Sequence, residues 1–192
     1  MNLKARNIVE ANNLTIIYPS NKKSVLRNFN LKINKNEHTA IIGESGCGKS
    51  TFAKSIVQML PQNTICEGDL IVDRKDLREI SKKELMIFRR TRIGFIYQDS
   101  IQKLNPLMTV GDHLYELLKI QFPLKSNKYI SQIVKETFNK VGIEKNRLES
   151  FPHEFSGGMR QRVCIALAIA LKPNLIIADE PTTSLDSNTS YE

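Results

Sequence analysis

An α/β fold is predicted for this chain, with a mostly parallel sheet and an inserted helical subdomain, and three observations predict it. Short apolar runs, nearly continuous at Thr39 to Gly43 and Leu175 to Asp179, read as strands buried on both faces, the pattern of parallel sheets covered by helices. A glycine-rich stretch then leads from the first of these runs into the helix-like run Phe52 to Val57. Between Gln98 and Ser156 the character changes to helical spacing, with Ile130, Ile133, Val134, Phe138 and Val141 on one stripe and Gly142 placed as a C-cap.

In chain order, strands are expected at Leu14 to Tyr18, Thr39 to Gly43, Asp69 to Asp73, Ile93 to Gln98 and Leu175 to Asp179. The basic cluster from Lys82 to Arg92 has apolar residues embedded in it and reads as a surface helix with solvated lysines. The layout is one domain, with 1–97 and 160–192 forming the core and 98–159 the helical subdomain. At 192 residues such a domain buries most of its unfolded surface without staples. Cys47, Cys66 and Cys164 are odd in number and lack metal spacing, which predicts a reducing, cytoplasmic setting. The first residues lack an apolar signal region, and the longest apolar run, Val163 to Leu171, falls far short of the ~20 residues of a membrane span. The net charge of +8 permits attraction to anions but identifies none, and no aromatic-basic interleaving points to nucleic acid.

The stretch Gly43-Glu44-Ser45-Gly46-Cys47-Gly48-Lys49-Ser50, followed by Thr51, satisfies G-x-x-x-x-G-K-[ST]. A chance match in this length is under about 1%. Gly43, Gly46 and Gly48 let backbone amides converge on phosphate oxygens without interference from a Cβ, and the helix N-terminus adds its partial positive charge. Lys49 then neutralises the terminal phosphates and the Ser50 hydroxyl ligates Mg²⁺. Cys47 is open to two readings, a small side chain that fits the loop or a thiol activated by the helix N-terminus. Downstream, the run Leu175 to Ala178 ends in Asp179-Glu180. Two acids at a strand end can take different tasks, Asp179 holding Mg²⁺ directly or through water and Glu180 polarising an attacking water.

Ahead of that strand lies Phe155-Ser156-Gly157-Gly158-Met159-Arg160-Gln161-Arg162. With the loop and the paired acids, this stretch resembles the nucleotide-binding subunit of ATP-binding cassette (ABC) transporters over nearly the whole chain. The resemblance implies a P-loop ATPase core with an antiparallel β part near the N-terminus, and ATP with Mg²⁺ as cofactors. It also implies that Ser156, Gly157 and Gly158 cap the γ-phosphate of ATP held by a partner subunit. By the same resemblance, Tyr18 stacks on adenine, Gln98 links Mg²⁺ and water to the helical subdomain, and Ser184-Leu185-Asp186 touches the opposing subunit. Catalysis then falls to Glu180, Gln98 and Lys49. Nucleotide binding falls to Tyr18, Ser156 to Gly158 and the loop residues Gly43, Glu44, Ser45, Gly46, Cys47, Gly48, Lys49, Ser50 and Thr51, with Ser50, Gln98 and Asp179 around the metal.

Tyr97-Gln98-Asp99, Leu104-Asn105-Pro106-Leu107-Met108-Thr109-Val110-Gly111 and the run Phe151 to Arg162 are similar to importers of peptides and nickel. That branch implies a second, identical or related, ATP-binding subunit, transmembrane permease subunits, an indirect link to an extracytoplasmic substrate-binding protein, and a place on the cytoplasmic face of the membrane. The cargo, oligopeptide, dipeptide, nickel or metal chelate, stays open. Alternatives are a soluble cassette ATPase working on ribosomes or DNA and a non-catalytic remnant. His153 is assigned no catalysis, and His38 reads as a surface residue at a strand start. Where the family often has glycine before the loop strand, Asn34-Lys35-Asn36-Glu37-His38 supplies asparagine for a left-handed turn. The family also has a histidine beyond Asp186, on a strand between the loop strand and the Asp179 strand. His38, His113 and His153 all lie upstream, so the sequence is expected to be a fragment of a longer subunit.

Overall fold

A computed structural model describes residues 7–20, 23–97 and 104–180. The chain divides into two compact units, 1–89 and 90–192, and each is described by itself.

The first unit is built on a four-stranded antiparallel sheet in the order β2-β1-β3-β4. Its strands are β1 (Asn7–Ile17), β2 (Leu26–Asn34), β3 (Ile65–Val72) and the short β4 (Lys75–Asp76). Along β1 the most deeply buried positions are Val9 and Ala11, then Leu14 and Ile16, with Ile8 buried beside them at the strand start, so the parity switches midway. The switch is a bulge: Asn13 takes φ 51 and the register to both neighbours shifts there. Opposite it, Gly68 of β3 takes φ 82, and a Cβ at that position would lie 2.4 Å from the Asn13 carbonyl oxygen. Only glycine fits so close to the bulged backbone.

α1 (Lys49–Ile56) packs on this sheet through Phe52, whose ring centroid is 4.8 Å from that of Phe29 on β2. The basic cluster forms α2 (Lys82–Arg92), as expected, with Phe88 its buried residue. Ser81 and Glu84 close a capping box at its start: the Ser81 amide donates to Glu84 Oε2 at 3.0 Å, and the Glu84 amide to Ser81 Oγ at 3.2 Å. Asn36 takes φ 62, the left-handed turn expected of it.

Beyond that turn, Thr39 to Gly43 is not the buried strand that its apolar run suggests. Ile41 is 41% and Ile42 93% exposed, and among the described residues no strand pairs with this segment. A strand exists through its neighbours' hydrogen bonds, and the sheet of this unit is antiparallel and closed on β2 and β4 as its edges. His38 therefore lies on an exposed segment rather than at a strand start.

The β3–β4 corner is held by Asp76 and Arg78. Arg78 Nε donates to Asp76 Oδ1 at 2.9 Å and Nη1 to the Gly68 carbonyl at 2.9 Å. The Arg78 side chain holds the Asp76 carboxyl below its ordinary value, against an opposing push from burial. A depressed carboxylate pKa contributes stability above the ordinary Asp range of about 4, and that contribution is lost as pH falls through the folded value. Asp76→Asn is expected to lower the melting temperature at pH 7 by about 2 °C, the size that a pair worth up to ~1 kcal/mol gives, and to lose that effect progressively as pH falls through the depressed folded value. Paired thermal melts of the two proteins over an acid pH series starting from pH 7 check this.

The second unit combines a two-stranded parallel sheet, β5 (Ile93–Ile96) and β6 (Leu175–Ala178), with α3 (Val110–Gln121), α4 (Asn127–Lys140) and α5 (Gly157–Ile169). β6 is half-buried and exposed by turns, with Ile176 51% exposed, not buried on both faces as its composition suggests. One parallel neighbour and α5 do not cover both of its sides. The helical stripe on α4 behaves as expected: Ile130, Val134 and Phe138 are buried against Leu114 and Leu118 of α3 and Val163 of α5. Thr109 and Ser126 cap α3 and α4, accepting from the amides of Asp112 and Tyr129. Gly142, at φ 72, ends α4, and Arg162 Nη1 of α5 donates to the Val141 carbonyl at 3.0 Å. Among the described residues no helix is long and apolar enough to cross a membrane.

Candidate functional site

In the first unit the glycine-rich loop turns tightly onto α1. Gly46 and Gly48 take φ 79 and 101, and Gly48 is the N-cap of the helix. No side chain caps that end and no acid stands in the first turn, so the partial positive charge of the helix start meets no carboxylate of its own turn. Close approach adds to the positive φ at Gly48, where a Cβ would lie 2.7 Å from Leu26 Cδ2 and 3.1 Å from the Val25 carbonyl, whereas one at Gly43 would meet only the movable Cys47 Sγ at 2.7 Å. Lys49 bends over the loop, its Nζ donating to the carbonyls of Gly43 and Glu44 at 2.8 Å each, with Cys47 Sγ 3.9 Å away. An ammonium held by two backbone carbonyls above a turn of glycine amides is positioned to exchange those carbonyls for phosphate oxygens. Glu44, Ser45, Gly46 and Cys47 are exposed, and Ser50 is half-buried. Cys47 is the exposed thiol of the three; burial pushes the half-buried Cys66 thiol up, and Cys164 is buried.

Tyr18 joins this site directly. It follows the last residue of β1, and its phenol oxygen lies 2.9 Å from Thr51 Oγ1 in the first turn of α1. Sequence reading places both residues at the site but gives no hint that they touch.

In the second unit, β6 ends at Ala178, and the next residue, Asp179, donates its amide to the Ile96 carbonyl of β5 at 2.9 Å. Glu180 follows with φ 50, a left-handed turn that takes it out of strand alternation, so the two acids are no longer on strictly opposite faces. Asp179 is half-buried and Glu180 exposed. Gln98, two residues beyond β5, and Ser184 to Asp186 lie outside the described residues. Ser156 is the N-cap of α5, its Oγ accepting from the Met159 amide at 3.3 Å, and Gly157 and Gly158 are the first two residues of the helix. An accepting hydroxyl keeps its own proton for donation, so an anion at this end would meet an O–H and two amides unshielded by side chains.

His113 is a residue to which sequence reading gives no role. The Asn105 amide donates to its Nε2 at 2.9 Å, and Nδ1 lies 2.8 Å from the Thr109 carbonyl. With Nε2 accepting, Nδ1 carries the proton and donates, and the ring ties the Asn105-Pro106 turn to the start of α3. His153, stacked on Phe151 at 5.7 Å, is exposed and serves no such bridge.

A sequence profile described as ABC transporter matches residues 26–183. The chain belongs to the ABC transporter family. An oligopeptide transport ATP-binding protein, OppD of Bacillus subtilis (strain 168), is 39% identical over 194 residues, covering 96% of this chain and 53% of that protein. The metal-staphylopine import system ATP-binding protein CntD of Staphylococcus aureus is 35% identical, covering 96% of this chain and 69% of its own. Among solved structures, the ATP-binding cassette MJ0796, described as a dimeric post-hydrolysis state bound to ADP and Pi, matches with a TM-score of 0.83 at 32% identity over 95% of this chain and 78% of that one. The chain thus spans about half the length of the oligopeptide-transport relative. Within the ABC family the loop from Gly43 to Thr51, the Asp179-Glu180 pair and the Ser156 cap all fall inside the matched span.

Proposed function

We propose that this chain is the ATP-binding and ATP-hydrolysing part of an ABC importer, taking up oligopeptides, dipeptides, nickel or metal chelates through separate membrane-spanning subunits. The observation that carries the reading is the Gly43–Thr51 loop, with its glycine amides open at the start of α1, Lys49 poised over them and Tyr18 fastened beside them. The similarity to an oligopeptide transport protein and to a metal-staphylopine import protein supports the cargo classes.

In this reading the amides of the loop and Lys49 hold the triphosphate, and Tyr18 stacks on the base. The hydroxyl of Ser50 and the carboxylate of Asp179 are hard oxygen donors of the kind Mg²⁺ takes, and they would hold it with Gln98. When bound, the ion neutralises charge on the phosphate oxygens. Glu180 accepts a proton from the attacking water. Ser156, Gly157 and Gly158 donate to the γ-phosphate on a second ATP-binding subunit, so two subunits enclose two nucleotides. ATP contacts both halves only when they are closed, which gives it the differential affinity that drives closure, and hydrolysis reopens the pair. The helical segment after Gln98 passes this motion to the permease subunits at the cytoplasmic face of the membrane, where an extracytoplasmic binding protein delivers cargo from the other side. Nucleic acid has no part in it.

Membrane fractionation of cells producing the full-length protein with an affinity tag tests the reading. Co-purification with hydrophobic, multi-spanning subunits is the expected result. Recovery with ribosomes or nucleic acid, away from membranes, would contradict it.

A further inference from the structure

The turn that joins α3 to α4 carries apolar side chains outward. Leu124 is 98% exposed, Ile120 55% and Tyr129 46%, whereas Leu118 and Ile130 on the same two helices are fully buried. The core of this unit is thus closed without the three outer residues. A single exposed leucine is ordinary, but three large apolar side chains between positions 120 and 129 make a patch. The turn is held in shape. The Phe122 amide donates to the Leu118 carbonyl at 2.8 Å and the Lys125 amide to the Phe122 carbonyl at 3.1 Å, which places Pro123 and Leu124 at the two central positions of a hydrogen-bonded turn. Lys119 Nζ donates to the Lys125 carbonyl at 3.2 Å and to Asn127 Oδ1 at 3.1 Å, tying the end of α3 to the start of α4.

The charge around this apex is of one sign. From Leu117 to Lys135 the sequence has four lysines, Lys119, Lys125, Lys128 and Lys135, and no carboxylate; Glu116 and Glu136 stand at the two borders. Lys125 Nζ lies 5.2 Å from the centre of the Tyr129 ring. Phe122 and Tyr129 also line a groove with Ile133, Leu171 and Lys172, so the apolar surface continues along α4, and the end of α5 adds a lysine and no acid. An apolar apex ringed by lysines is complementary to anionic headgroups over hydrocarbon. Leucine can enter the acyl boundary while the long lysine stems keep their ammonium groups at headgroup level.

We propose that the α3–α4 tip, with Leu124, Ile120 and Tyr129 flanked by Lys119, Lys125 and Lys128, is a contact site for an anionic lipid surface. The contact goes beyond the nucleotide-driven reading above: it needs neither ATP nor a permease subunit.

The test is sedimentation of the full-length protein, without nucleotide, with vesicles of phosphatidylcholine alone and of phosphatidylcholine mixed with phosphatidylglycerol. The wild type is expected to bind the anionic vesicles at least about tenfold more tightly than the neutral ones, and to lose that margin as salt rises. Leu124→Ser is expected to weaken binding to anionic vesicles about tenfold, the contribution of a partly inserted leucine side chain. Lys125→Glu/Lys128→Glu is expected to bring it down to the neutral-vesicle level. All three positions are exposed, so both variants should keep the wild-type melting temperature and ATP affinity, which separates a lost contact from a lost fold. The sequence has no tryptophan, so Leu124→Trp reports insertion as blue-shifted emission on anionic vesicles, read against the parent protein. Equal binding to both vesicle types, wild-type binding by both variants, or an unshifted Leu124→Trp spectrum would each overturn the proposal. So would Leu124→Ser lowering co-purification with membrane subunits while lipid binding stays at the wild-type level, which would assign the tip to a protein partner. A protein that binds anionic vesicles in the expected way but not ATP would refute the nucleotide reading and leave the lipid contact standing.

Discussion

Glu180→Gln is expected to retain ATP binding within about threefold while ATP turnover falls by about 10²- to 10⁴-fold, the range in which a positioned general base contributes. The substitution keeps the shape of the side chain and removes its capacity to take a proton from water. Its backbone context favours an all-or-none reading of the result. Glu180 stands at φ 50 immediately after Asp179, itself tied to Ile96 by its amide, and glutamine occupies that left-handed turn no less readily than glutamate. Single-turnover and steady-state phosphate release, with ATP affinity measured in parallel, separate the two effects. Full turnover in the variant would remove Glu180 from the role of base.

Gly48→Ala carries the second large effect, on fold and ligand together. At φ 101 a side chain is strained by roughly 1 to 3 kcal/mol, and here the added Cβ would also lie 2.7 Å from Leu26 Cδ2 and 3.1 Å from the Val25 carbonyl. The Leu26 side chain can move, whereas the Val25 carbonyl belongs to the turn that leads into β2. The loop is therefore expected to shift and its amides to diverge, weakening ATP by about 10- to 100-fold and lowering the melting temperature by a few degrees. Gly46 is the internal comparison: it takes φ 79, yet nothing lies within 4 Å of a Cβ built there. Gly46→Ala should bear the backbone strain without the collision and lose less on both measures. If Gly46→Ala proved the more damaging of the two, the packing of Gly48 on Leu26 would not be what shapes the loop.

What the sequence made legible follows from which features are local. The phosphate loop is a strict spacing of glycines, lysine and serine whose geometry depends on its own backbone, and the glycine turn, the α1 start and the Lys49 position all agree with it. The helical stripe Ile130, Val134, Phe138, ended by Gly142, is equally local. β1 is legible only in its second half because Ile8 and Val9 are buried side by side and the bulge at Asn13 then moves the buried side chains from Val9 and Ala11 to Leu14 and Ile16, which breaks the alternation that marks a strand. β2 gives no strand signal although Phe29, Leu31 and Ile33 alternate, since three asparagines interrupt its nine residues. Thr39 to Gly43 shows the opposite failure: apolar composition reads as a buried strand, but burial and pairing come from neighbours, and none among the described residues supplies them. The Tyr18–Thr51 contact and the His113 bridge are tertiary facts, invisible to motif and period. Gln98 and Ser184 to Asp186 lie outside the described residues and rest on the sequence resemblance.

Gly43–Thr51 is expected to bind the triphosphate of ATP through its amides and Lys49. Calorimetric titration of Mg-ATP into the purified protein and into Lys49→Ala tests it most directly. Saturable binding of one nucleotide per chain to the wild type is expected, with a loss of at least about 30-fold in the variant from removing a charge-assisted contact to the phosphates. Equal affinity in the two proteins, or no saturable binding to the wild type, would contradict it.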